Sequence, residues 1–107
     1  MEIKIWRMGN EYKVYSDNTG FIRQLANANG CRVGASYFEK YRLVGLDAIM
    51  PFKAKFGRRI FRLAKKKGCA VPSKWPNLAP DEVLELKGVQ VPLDGEGGLE
   101  SKISTND

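Results

Sequence analysis

The chain of 107 residues contains no histidine and only two cysteines, Cys31 and Cys69. Without histidine, neither a Ser-His-Asp nor a Cys-His nucleophile can be assembled. The commonest general base and the commonest metal ligand are missing with it. Two lone cysteines cannot complete a four-ligand zinc site, and they lack the closely spaced, even pattern of a disulfide scaffold. Two reduced thiols in a cytoplasmic protein are the expectation. No run approaches the ~18 apolar residues that mark a membrane span. The opening "MEIKIWRMG" has an acid at position 2 and no apolar core, so no secretory signal is expected. The body holds few carboxylates and none at a recognised spacing, so convergence on Mg²⁺ is not expected. These deficits predict a non-enzymatic protein with no cofactor, no metal and no membrane association.

What is abundant is positive charge, and it is unevenly placed. The net charge is +6. Residues 1–74 carry 16 of the 18 lysines and arginines against five acids, Glu2, Glu11, Asp17, Glu39 and Asp47. Residues 75–107 carry Lys87 and Lys102 against seven acids. A basic body followed by an acidic tail points to an anionic partner.

Periodicity organises the body. "EIKIW" and "EYKVYS" alternate with period two on either side of a Gly9-Asn10 turn, which predicts a β-hairpin. "SDNTGFIRQLANANG" changes to helical spacing: Phe21, Ile22, Leu25, Ala26 and Ala28 share one side. Ser16, Asp17, Asn18 or Thr19 can cap its start, and Gly30 reads as its left-handed stop. A helix of about ten residues is expected. Strand character returns in "CRVGASYFEKYRLVGLDAIMP", with Val33, Ala35 and Tyr37 alternating against Arg32, Ser36 and Phe38. Glu39-Lys40 is the expected turn, and the following strand is apolar enough for a central position. Gly34 and Gly45 mark a bulge or a close approach by a helix. Asp47, inside "LVGLDAIM", reads as a strand-end residue that caps the next helix or meets an arginine.

Pro51 suits the first turn of a helix running to Lys67. The order β-β-α-β-β-α predicts an α+β fold, a four-stranded antiparallel sheet with both helices on one face. Residues 1–68 form this body. Residues 69–93 read as a proline-containing extension able to dock on it. Residues 94–107 read as a disordered acidic tail that competes for the basic face.

The stretch "PFKAKFGRRIFRLAKKKG" holds eight basic residues and no acid. At 100° per residue, Phe56, Ile60 and Leu63 fall between about 0° and 80° from Phe52. Lys55, Arg58, Arg59, Arg62, Lys65 and Lys66 fall between about 220° and 340°, opposite the apolar seam. A helix selected only for solubility mixes signs to gain i,i+4 pairs; here every such pair is repulsive. The stripe therefore predicts DNA or RNA binding, because aligned cations release counterions from phosphates and arginine's fork fits phosphate and guanine edges. A protein-interaction module or inhibitor docking on an acidic protein is the alternative. A second candidate surface is the sheet face away from the helices, where Trp6, Lys13, Tyr15, Arg32 and Phe38 would interleave rings and cations as a single-strand platform does. The 69–93 extension, through Trp75, Leu78 and Leu84, is the competing cover for that face. The body contains neither the GxxG loop of KH domains nor the aromatic motifs of RRM sheets.

Overall fold

A computed structural model describes residues 1–72, 78 and 82–88. The elements run β1 (Glu2–Met8), β2 (Glu11–Ser16), α1 (Thr19–Ala26), β3 (Arg32–Glu39), β4 (Arg42–Pro51), α2 (Ala54–Lys66) and β5 (Val83–Lys87). All pairings are antiparallel, in the spatial order β3-β4-β2-β1-β5. The class is α+β, as the periodicities predict. The expected four-stranded sheet has five strands, because Val83–Lys87 in the proline-containing extension adds to the outer edge of β1.

Alternation sets the core. Ile3 and Ile5 of β1, Tyr12 and Val14 of β2, and Leu46, Ala48 and Met50 of β4 all point to one face. There they bury against Phe21, Ile22 and Leu25 of α1 and Phe56, Ile60, Leu63 and Ala64 of α2. Both helices therefore cover the same side of the sheet. Leu78 and Leu86 close the end of this cluster. The two ββα halves are related by a pseudo-two-fold axis between the central strands β2 and β4. The symmetry breaks at the edges: β5 pairs with β1, while no described residue pairs with the outer edge of β3.

Local chemistry fixes the boundaries. Asn18 is the cap of α1, its Oδ1 accepting the Phe21 N–H at 3.0 Å. The helix ends at Ala26, shorter than expected, and Gly30, with φ 84°, sits in the loop to β3 instead of at the helix stop. Pro51 does not open α2. It ends β4 opposite Glu11, and the next N–H, that of Phe52, donates to Asn10 O at 2.8 Å. That pairing keeps the chain extended for two more residues, so the helix starts at Ala54. The β3–β4 turn is Lys40-Tyr41, one residue later than Glu39-Lys40, because Glu39 pairs with Arg42 and Lys40 takes the positive φ of 58°.

At the far end of α2 the N–H of Cys69 donates to Ala64 O at 3.1 Å and that of Gly68 to Lys65 O at 3.0 Å, with Gly68 at φ 90°. This is a Schellman stop. Residues 94–107, and with them the expected competition of an acidic tail for the basic face, lie outside the described residues, as does Trp75.

Candidate nucleic-acid interface

The cationic stripe forms on α2 because the apolar seam leaves it no other place. Phe56, Ile60, Leu63 and Ala64 are buried, and Lys55, Arg58, Arg62, Lys65 and Lys66 are exposed. Lys55 and Lys66 are eleven residues apart, about 16 Å along a helix axis, enough to meet several phosphates. Among the described residues no carboxylate pairs with any of the five. Lys65 and Lys66 lie in the last turn, where they complement the negative end of the helix dipole. Lys53 precedes the helix in extended conformation without a side-chain cap.

Arg59 has a different use. It is half-buried, and its two terminal nitrogens donate to Leu25 O and Gln24 O, each at 2.7 Å. These are carbonyls at the C-terminus of α1, of which Gln24 O also accepts the Asn27 N–H at 3.3 Å. Arg59 thus ties one helix to the other. Its position on the stripe was legible in the sequence, but not its partner, since that depends on where α1 ends.

The opposite face of the sheet is chemically different. Its charged residues are Glu2, Lys4, Glu11, Lys13, Arg32, Glu39, Arg42, Asp47, Glu85 and Lys87, five of each sign. Arg32 meets Glu11 at 3.1 Å and Lys13 meets Asp47 at 3.7 Å. Lys4 stands opposite Glu85, and Glu2 opposite Lys87. The exposed helix layer, by contrast, is cationic throughout: neither α1 nor α2 contains a carboxylate.

Of the residues expected on this open face, Trp6, Lys13 and Tyr15 are there, with Lys13 Nζ 5.5 Å from the Trp6 ring centroid. Arg32 is there but held by Glu11. Phe38 is not. The β3–β4 register shifts between Val33 and Ser36 and again between Tyr37 and Phe38. The first shift places an extra residue in β3 and reverses its alternation, so Tyr37 moves to the open face; the second places the extra residue, Val44, in β4 and leaves β3's alternation unchanged. Phe38, opposite Leu43, turns to the helix side, where Leu43 packs on the core. Leu78 and Leu84 do not cover the open face either; both belong to the helix-side cluster.

Asp47 anchors the open face. It is 1 % exposed and lies mid-strand, so it neither caps α2 nor meets an arginine. Its Oδ1 accepts the Ala35 N–H at 2.7 Å, and its Oδ2 accepts the Tyr37 hydroxyl at 2.7 Å. That hydrogen bond, with burial, pushes Tyr37 up to about 12. The two glycines exist for this packing. A side chain at Gly34 would collide with the Asp47 carboxylate, and one at Gly45 with the Tyr15 ring. The close approach is by side chains, not by a helix. Tyr15 and Tyr37 meet edge to face at 5.2 Å, and with Glu2, Lys4 and Trp6 they line a shallow depression.

Every oxygen of Asp47 is engaged, and no group of three or more metal-ligating side chains occurs among the described residues. Both cysteines are free thiols. Burial pushes each above its ordinary value, at Cys31 despite Arg59 and Lys55 nearby. No described helix is long and apolar enough to cross a membrane. No family model, no curated protein and no solved structure matches this chain.

Proposed function

We propose that this protein binds nucleic acid, without a catalytic step, through the exposed side of α2. The observation that supports this reading is the segregation of charge. One face of the sheet balances five acids with five bases, while the helices on the other face carry only cations among their charged residues. A surface selected for solubility alone has no reason to keep carboxylates off one side. Lys55, Arg58, Arg62, Lys65 and Lys66 supply the phosphate contacts, and Arg59 fixes the helix that presents them.

The test is a titration of fluorescent mixed-sequence DNA, as a duplex and as single strands, over a range of salt concentrations. About five phosphate contacts predict a slope near −4 to −5 in log Kobs against log salt on the duplex. The variant Lys55→Glu, Arg58→Glu, Arg62→Glu, Lys65→Glu should lose binding with its circular dichroism unchanged. Arg59 is left intact so that folding and binding are not confused. Unaltered affinity in this variant overturns the proposal. So does a cationic face that captures acidic proteins from nuclease-treated lysate while showing no affinity for either DNA form.

A further inference from the structure

The outer edge of β3, which no described residue pairs, carries a second reading, independent of nucleic-acid binding. All eight residues of β3 are exposed, although six of them pair with β4 on its other side and the Ala35 N–H donates to Asp47. It contains no proline and no lysine, two residues that commonly block sheet edges. It exposes Val33 at 42 %, Tyr37 at 36 % and Phe38 at 61 %. The equivalent edge of the pseudo-symmetric half, that of β1, is capped by β5.

The sequence of β3, "RVGASYFE", is complementary to itself when reversed. Antiparallel pairing of two copies about the Ala35–Ser36 bond sets Arg32 opposite Glu39, Val33 opposite Phe38, and Gly34 opposite Tyr37. Faces agree as well as chemistry. Arg32 and Glu39 belong to the open side, whereas Val33 and Phe38 belong to the helix side, because the extra β3 residue between Val33 and Ser36 reverses the alternation once between them. Small residues, Ala35 and Ser36, occupy the centre. A one-residue slip would place opposed side chains on different faces.

We propose that β3 is a homodimerisation edge, and that two copies join through it into one continuous ten-stranded antiparallel sheet. Its two-fold axis stands perpendicular to the sheet, since directly opposed residues share a face. Both helix layers then lie on the same side, and the two α2 stripes face one direction. The Arg32–Glu11 pair within each chain is exposed, and such pairs are worth little, so Arg32 can turn to the neighbouring Glu39.

Native mass spectrometry and sedimentation over a wide concentration series test this on the full chain. The expected species is a dimer whose fraction rises with concentration. Phe38→Lys, on an exposed side chain that the fold does not bury, should leave a folded monomer. Glu39→Arg alone and Arg32→Glu alone each place like charges opposite one another twice per interface. Each should weaken the homodimer about ten- to a hundredfold. Mixing these two variants restores both opposite-charge pairs, so a heterodimer of mixed mass should form preferentially. A wild-type monomer at every concentration overturns the proposal. A dimer indifferent to all three substitutions overturns it too, as does a mixture with no preference for the mixed species. A monomer whose β3 amides resist hydrogen exchange would assign the edge to the chain's own residues beyond 88, and likewise overturns it.

Discussion

Asp47 is a carboxylate in the middle of an otherwise apolar strand, and the structure gives it two donors and a cation: the Ala35 N–H, the Tyr37 hydroxyl and Lys13. Removing a buried acceptor leaves its donors without partners, which costs about 1–3 kcal/mol. Asp47→Ala should therefore lower stability by about 2–3 kcal/mol in urea unfolding, and Tyr37→Phe by about 1 kcal/mol. Tyr37 also makes a pH signature. Its proton is favoured in the folded state, where the acid–base midpoint rises to about 12 from an ordinary value of 10.0. The stabilisation is thus fully present below the unfolded value and is lost as pH climbs through the folded one. Phenolate absorbance should show a late-titrating Tyr37 signal in the folded protein that is absent in Tyr37→Phe and returns toward the ordinary range in Asp47→Ala. Tyr37→Phe should flatten the difference in stability between pH about 10 and 12 that the wild type shows.

The elements are joined by fewer polar contacts than their charge suggests, and Arg59 is the principal one between the helices. It satisfies two carbonyls at the end of α1 with a planar fork that lysine cannot reproduce. Arg59→Lys keeps the charge and loses the geometry. It should lower the unfolding free energy by about 1–2 kcal/mol while leaving DNA affinity within about twofold, since one exposed cation is worth little. Arg62→Ala should behave in the opposite way, with stability inside about 0.5 kcal/mol of wild type and a salt slope shallower by about 1. Thermal melts and titrations on both variants separate the positioning residue from the binding residue. The hairpin β3–β4 depends on comparable details: the extra residue in β3 between Val33 and Ser36 turns Tyr37 toward Asp47 and Phe38 away from it.

At the scale of the molecule, the two faces of the sheet divide the charge between them. The open face carries rings as a single-strand platform would, but its lysines and arginine stand beside carboxylates. An extended polyanion laid across it would meet Glu2, Glu11 and Glu85 as often as Lys4, Lys13 and Arg32. Base stacking on an aromatic is worth about 1–3 kcal/mol where it occurs. Trp6→Ala should therefore leave single-stranded DNA affinity unchanged if binding belongs to the helix layer. A loss of tenfold or more would transfer the interface to the open face. The same fluorescence titration reads both outcomes.

The periodicity of the sequence by itself determined the two ββα units, the side of each helix that is buried, the outward stripe on α2 and the stop at Gly68. These follow from spacing along a single segment, where the 2-residue and 3.6-residue repeats act locally. Only the tertiary structure decided the rest. Val83–Lys87 becomes a fifth strand because β1 offers an unpaired edge. Pro51 ends a strand because Phe52 still has a backbone partner in Asn10. One register shift in the β3–β4 hairpin exchanges the faces of Tyr37 and Phe38, and Arg59 is drawn from the stripe to the end of α1. The balance of charge on the open face exists only once all five strands lie side by side. Each of these depends on contacts between residues far apart in the chain, whose register no local repeat encodes.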